Sequence, residues 1–254
     1  MAAPQKLING LTDLGMEKMQ EYLDHYSELV NKGDKSFSEA LEELVEIEKK
    51  NKQVRRDAIN LHIANYPFIK TFDDFDFDFQ PNLNKKEILE LSKLGFVENK
   101  ENVIFVGTSG VGKTHLATAL GICCTKARFQ TYFITFENLI TQLKKAYQEN
   151  RLESRLKFFS KYKVLIIDEI GYMPIDSDTA NIFFQLIAKR YEKNSTIITT
   201  NMPFSKWGEF FGSATLANAV LDRLLHHSEI ISIKGPSYRI KDKRLVLEAQ
   251  AAEE

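Results

Sequence analysis

The 254-residue chain has only two cysteines, Cys123 and Cys124, and they are neighbours. Adjacent thiols cannot staple a fold or complete a zinc site by themselves. Small, buried helix packing is the role expected of them, in a reducing, cytoplasmic setting. In that setting the glycosylation triplet Asn194-Ser195-Thr196 is a chance match. Long apolar runs are also missing. Nothing approaches the roughly 20 residues that span a bilayer, and the opening MAAPQKLINGL lacks a charged-then-apolar leader. No membrane partner is expected. Net charge is almost absent, at −1, so the molecule as a whole does not attract nucleic acid electrostatically.

What is present is the balance of a globular protein, 43% hydrophobic and 27% charged. The length suits one compact α/β domain plus a smaller appendage, or two small domains. The charges are unevenly placed. Lys49 to Arg56 holds five positive residues and no acid, and Lys144 to Lys163 holds seven basic residues against two acidic. Lys234 to Arg244 adds five basic residues with one Asp. One such patch is usually a solvated face. Three on one chain point to a polyanionic partner.

Residues 1–66 read as a helical N-terminal domain. Ser36-Phe37-Ser38-Glu39 is a capping-box pattern, and Leu41, Leu44 and Val45 form an apolar stripe that thins out before the basic stretch. Pro67 should stop this helix. Residues 67–100 read as a linker and lead-in helix. In FDDFDFDFQPNLN, Phe75, Phe77 and Phe79 alternate with Asp76 and Asp78, the period of an extended strand with one apolar face. Residues 101–244 then alternate strand and helix, the signature of a parallel sheet covered on both faces. The strands are expected at 103–106, 131–135, 164–168, 196–200 and 229–233, and a helix with Ile182, Phe183, Leu186 and Ile187 on one face at 178–192. Residues 245–254 form a C-terminal tail.

Val103 to Val106 runs into Gly107-Thr-Ser-Gly-Val-Gly-Lys113-Thr114, a complete P-loop pattern with the strand before it and helix after it that such a loop requires. The candidate nucleotide-contacting residues are Gly107, Ser109, Gly110, Val111, Gly112, Lys113, Thr114 and His115. Backbone N–H groups from Ser109 to Thr114 would wrap a β-phosphate at a helix N-terminus. Lys113 would reach the β- and γ-phosphates, and the Thr114 hydroxyl would ligate Mg²⁺. Val164-Leu-Ile-Ile-Asp168-Glu169 supplies an acid pair at the carboxyl end of a buried strand. Asp168 would hold Mg²⁺ and Glu169 would polarise the attacking water.

Asp168-Glu-Ile-Gly171 also matches D-x-x-G of GTPases, and Asn31-Lys-Gly-Asp34 matches their guanine-reading N-K-x-D. The latter lies upstream of the P-loop, in the wrong order for a GTPase. A glutamate directly after the Mg²⁺ aspartate favours an additional-strand ATPase, so ATP is the expected nucleotide. In that class a further strand lies between the two motifs and presents a polar tip to the γ-phosphate, for which Asn201 is the candidate. A cation is still needed to offset charge on the γ-phosphate. Arg223, remote from its own P-loop, would serve a neighbouring subunit, and Arg190 is the competitor. A site completed in trans requires a homo-oligomer, a ring or an open helix.

The motifs GTSGVGKTHLATALG, VLIIDEIGYMPID, FFQLIAKRYEKNSTIITTN, LANAVLDRLLHHSEIISIKG and PSYRIK, in this order, resemble those of the IstB-type transposition helpers. These are AAA+ ATPases related to the helicase loader DnaC and the initiator DnaA. The resemblance covers roughly residues 35–244. It implies a P-loop AAA+ three-layer sandwich with a five-stranded parallel sheet, from which this chain is expected to depart in having little or no C-terminal lid. It also implies an ATP- and Mg²⁺-dependent oligomer that assembles on double-stranded DNA and stimulates a partner transposase. Asn201 is implied as sensor 1 and Arg223 as the arginine finger, and residues 144–163 as a nucleic-acid-facing helical element. Without a lid, Arg239 is left unassigned as a sensor 2. A DnaC-like helicase loader is the alternative, since both readings use the same ATP site.

Overall fold

The computed structural model describes residues 4–172 and 174–241, without the side chain of Ile240. The tail expected at 245–254 and the basic residues 243 and 244 lie outside that range. The chain divides into two compact units after Asn60.

In the first unit, α1 (Gln5–Asp13), α2 (Glu17–Lys32) and α3 (Phe37–Ile63, which runs past the division) pack Leu11, Met19 and Leu44 together. Helix starts leave backbone N–H groups without partners. Buried Glu48 of α3 supplies one remedy: its Oε2 accepts the N–H groups of Lys18 (2.8 Å) and Met19 (3.0 Å) at the start of α2. The capping box closes reciprocally at α3. The Ser36 N–H donates to Glu39 Oε2 at 2.8 Å, and the Glu39 N–H to Ser36 Oγ at 3.3 Å. Asn31-Lys-Gly-Asp34, the GTPase-like match, ends α2, with Gly33 as its left-handed cap at φ 78°. That accounts for the pattern without a guanine.

The second unit opens with α4 (Lys85–Leu91) and α5 (Gly95–Glu98). Strands and helices then alternate: β1 (Asn102–Gly107), α6 (Lys113–Lys126), β2 (Thr131–Thr135), α7 (Phe136–Gln148), α8 (Leu152–Ser160), β3 (Val164–Ile170), α9 (Ser177–Arg190), β4 (Ser195–Thr200), α10 (Trp207–Phe210), α11 (Ala214–Leu225) and β5 (Ser228–Ile233). The five strands form one parallel sheet in the order β2-β3-β4-β1-β5. Successive strand residues point to opposite faces, and both faces are covered except along the edge strand β5, where Ile230 and Ser232 are exposed. Ile104, Leu165, Ile167 and Ile198 join the core under α7, α9 and α11, while Val103, Phe105, Ile166 and Ile197 join that under α4, α5 and α6. Strands buried on both faces read as unbroken apolar runs, which is why their positions were readable. Cys124 is buried in α6, and burial pushes its thiol up, as packing requires and reactivity does not. At Gly121 of the same helix, a Cβ would lie 2.4 Å from Ile166 Cδ1, so only glycine lets α6 sit this close to β3.

The segment around FDFDF, read from the sequence as a linker, forms no strand despite its strand-like period. Residues 66–84 run through turns and bends outside the sheet. The aspartates satisfy nearby backbone instead: Asp74 Oδ2 accepts from the Thr71 N–H at 2.7 Å, and Asp76 Oδ1 from the Phe79 N–H at 3.0 Å. Such local bonds compete directly with ladder formation. The phenylalanines still turn inward, with Phe75 and Phe77 packed against the α6 side of the core.

Candidate nucleotide site

The site forms at the carboxyl end of the sheet, where β1 enters the loop before α6. Gly110 (φ 82°) and Gly112 (φ 99°) hold left-handed conformations that other residues adopt at a cost. No side chain caps the N-terminus of α6, and its first residues line a cavity of about 520 Å³. Ser109, Gly110, Val111, Gly112, Lys113, Thr114 and His115 line that cavity, together with Asp168, Glu169 and Asn201. Gly107 is not among the residues that line it; a Cβ there would strike Ile233 O at 2.3 Å, so this glycine serves the close approach of β1 to β5. Lys113 Nζ donates to Gly107 O (2.8 Å) and Thr108 O (2.7 Å). Burial pushes the Lys113 pKa down, while Asp168 and Glu169 oppose that and the Arg239 charge adds to it.

The acid pair sits on a bulge. Ile167 pairs with Ile198 and Ile170 with Thr200, so Asp168 and Glu169 together face Thr199. Glu169 takes φ 64°, unusual for a residue with a side chain, and is exposed, whereas Asp168 is 3% exposed. Thr199 Oγ1 accepts the Glu169 N–H at 2.9 Å and donates to Asp168 Oδ1 at 2.5 Å. The Thr114 hydroxyl donates to both Asp168 oxygens, at 3.0 and 3.1 Å. Burial pushes the Asp168 carboxyl up, and the hydroxyl bonds of Thr199 and Thr114 pull it back. A buried carboxylate and a hydroxyl brought together, both hard oxygen donors, fit Mg²⁺.

Two segments far apart in sequence wrap the loop. From the linker, Phe75 lies over Gly112, where a Cβ would come within 2.5 Å of its Cε2. His115 Nε2 lies 2.8 Å from Thr71 O, and its ring stands edge-on to Phe68 and Phe75. From the C-terminal side, the Tyr238 N–H donates to Gly110 O at 2.9 Å, and Ser237 fills the space a Cβ on Gly110 would need. Lys241 pairs with Asp76 at 2.7 Å, joining the two segments. Arg239 thereby lines the cavity with Lys113. Thr199, Phe75 and Tyr238 were not identified from sequence. Threonine in STIITT reads as a strand former, and nothing in the motif order brings residues 75 and 238 to the loop.

The two arginines separate cleanly. Arg190, 1% exposed, donates to Phe159 O and Tyr162 O (both 2.9 Å), Thr196 Oγ1 (3.1 Å) and Ser195 O. Burial pushes its guanidinium down to about 9. It ties α8, α9 and β4 together and cannot reach another subunit, so the competing assignment falls. Arg223, half-buried on α11, lies over the Phe184 ring at 4.6 Å and donates to Ala219 O, and it is not among the residues that line the cavity.

The basic segment 144–163 forms the end of α7, all of α8 and the turn beyond it. Part of its charge is already neutralised: Lys144 pairs with Asp176 at 2.9 Å and Arg151 with Glu149. Arg155 stacks on Phe158 and Phe159. Lys145, Lys157 and Lys161 project to solvent.

A family model described as IstB-like ATP binding protein matches residues 9–246. The chain is 49% identical over 238 residues to the ATP-binding protein ascribed to insertion sequence IS232 in Bacillus thuringiensis subsp. berliner, covering 94% of this chain and 95% of that protein. It is 45% identical over 234 residues to the one ascribed to insertion sequence IS21 in Pseudomonas aeruginosa, covering 92% and 88%. A crystal structure of the DnaC helicase loader is similar with TM-score 0.52 and 28% identity, over 59% of this chain and 87% of that one.

Proposed function

Because the chain belongs to the family of IstB-like ATP binding proteins and has the P-loop AAA+ fold, we propose that it binds and hydrolyses ATP with Mg²⁺. In this reading it works as an oligomer on duplex DNA in the service of a partner transposase. The observation that carries it is the convergence of Lys113, Thr114, Asp168, Glu169 and Asn201 on one cavity that Arg223 does not line.

The N–H groups of the loop and Lys113 would bind the β- and γ-phosphates. Thr114 and Asp168 would hold Mg²⁺, which when bound offsets charge on the phosphate oxygens. Glu169, aimed outward by the bulge, would orient the attacking water and take its proton, while Asn201 would fix that water against the γ-phosphate. Arg239, already in the cavity, adds a positive charge from the same chain. Arg223 would enter a neighbour's cavity head-to-tail, so hydrolysis depends on assembly. Lys145, Lys157 and Lys161 are the suited phosphate contacts for DNA, and the relatives named for insertion sequences support transposition as the process.

A helicase-loading role is the second reading, favoured by the likeness to the DnaC helicase loader, although that likeness spans only 59% of the chain. Glu169→Gln tests the chemistry. It should retain ATP binding while hydrolysis falls about 10²–10⁴-fold. Rapid turnover by this variant contradicts the assignment. Stimulation of a purified transposase, or of a hexameric helicase instead, decides between the two roles.

A further inference from the structure

We propose that Glu192, His226 and His227 form a surface site for a zinc-class divalent metal ion, separate from the nucleotide cavity. Among the described residues these are the side chains whose ligand atoms gather as a set of three, all within 4.8 Å of one another. Two elements bring them together. The chain leaves α9 at Arg190 and turns through Tyr191 and Glu192, which takes φ 54°. α11 ends at Leu225, and His226 and His227 form the turn into β5.

Glu192 Oε1 lies 3.7 Å from His227 Nε2 and 4.0 Å from His226 Nδ1. Around a tetrahedral zinc with arms of about 2.0–2.1 Å, neighbouring ligand atoms stand about 3.4 Å apart. The two separations from Glu192 exceed that by about 0.3 and 0.6 Å, and all ligand atoms lie within 4.8 Å of one another, so exposed side chains must draw together around an ion. Two imidazoles and one carboxylate are a nitrogen-rich borderline set, suited to Zn²⁺ and poorly suited to Mg²⁺. Tyr191 Oη lies 2.7 Å from His226 Nδ1, the same nitrogen that stands 4.0 Å from Glu192 Oε1, so a metal bound at Nδ1 displaces that hydroxyl. Water completes the shell on the solvent side.

A metal here would clamp the turn after α9 to the end of α11, one helical turn beyond Arg223. The proposal stands independently of the ATPase reading. The test is titration of untagged full-length protein with Zn²⁺ and Co²⁺ in excess Mg²⁺, followed by calorimetry and by visible absorption of the cobalt form. One ion per chain should bind, with cobalt bands of a nitrogen–oxygen site and no thiolate charge-transfer band. His227→Ala and Glu192→Gln, both exposed and expected to fold normally by circular dichroism, should each weaken binding at least about tenfold. No binding, binding unchanged in both variants, or a thiolate band pointing to the cysteines would each overturn the site.

Discussion

Thr199 donates its hydroxyl proton to Asp168 at 2.5 Å while the same oxygen receives the backbone N–H of Glu169. One strand residue therefore fixes both members of the acid pair, the buried one by its carboxylate and the exposed one by its backbone. Thr199→Val keeps the shape and removes both bonds. It should lower stability by about 1–3 kcal/mol, the usual consequence of orphaned buried polar groups. It should also raise the Mg²⁺ concentration needed for hydrolysis, with Thr199→Ser restoring most of the loss. Thermal unfolding and Mg²⁺-dependent ATPase assays check this.

Asp168 gives a prediction with a definite sign. Its folded pKa is raised, chiefly by burial, so the folded chain holds this proton more tightly than the unfolded chain does. Its contribution is fully present below the ordinary carboxylate pKa and is lost as pH rises through the raised one. At neutral pH, without nucleotide or Mg²⁺, the charged group therefore opposes folding. Asp168→Asn should unfold at the same temperature as the parent or higher near pH 7, with a smaller advantage near pH 4. Its Mg²⁺-supported hydrolysis should vanish. A clearly lower unfolding temperature at pH 7 would contradict this.

Arg190 and Arg223 should behave oppositely. Arg190→Ala removes buried hydrogen bonds to the carbonyls of Phe159, Tyr162 and Ser195 and leaves a cavity in place of the guanidinium, and should cost at least about 3 kcal/mol. Arg223→Ala removes a ring contact and a bond on the surface of α11 and should barely shift unfolding. Its hydrolysis should fall about 10³–10⁵-fold with nucleotide affinity retained. Chemical denaturation beside ATPase and nucleotide-binding assays separates the two.

Charge reversal at Lys145 and Lys157 should weaken duplex binding and reduce its salt dependence by about 0.9 per lost phosphate contact. Reversal at Lys144 and Arg151, which already face Asp176 and Glu149, should do less. Binding isotherms across a salt series measure both slopes. An unaltered slope for Lys145 and Lys157 would move the DNA surface elsewhere.

The strands and the P-loop were legible because each is dictated locally: runs such as Val164 to Ile167 need burial on both sides, and the glycines of the loop need their backbone freedom. The FDFDF segment has the period of a strand, yet its aspartates have nearer hydrogen-bond partners than a strand could offer. The bulge at Asp168 and Glu169 leaves no compositional trace. The burial of Arg190 was equally hidden, since a basic residue at a helix end ordinarily faces water. Packing decided these features, and composition did not record it.

Dependence of hydrolysis on a neighbouring subunit is tested most directly by mixing two inactive variants. Lys113→Ala retains Arg223 and loses its own phosphate grip, whereas Arg223→Ala has the converse defect. In random head-to-tail assembly an equal mixture should restore about one quarter of the sites, and with them measurable ATP turnover. If the mixture stays as inactive as its components, or if Arg223→Ala alone hydrolyses ATP at the parent rate, the site is not shared between subunits.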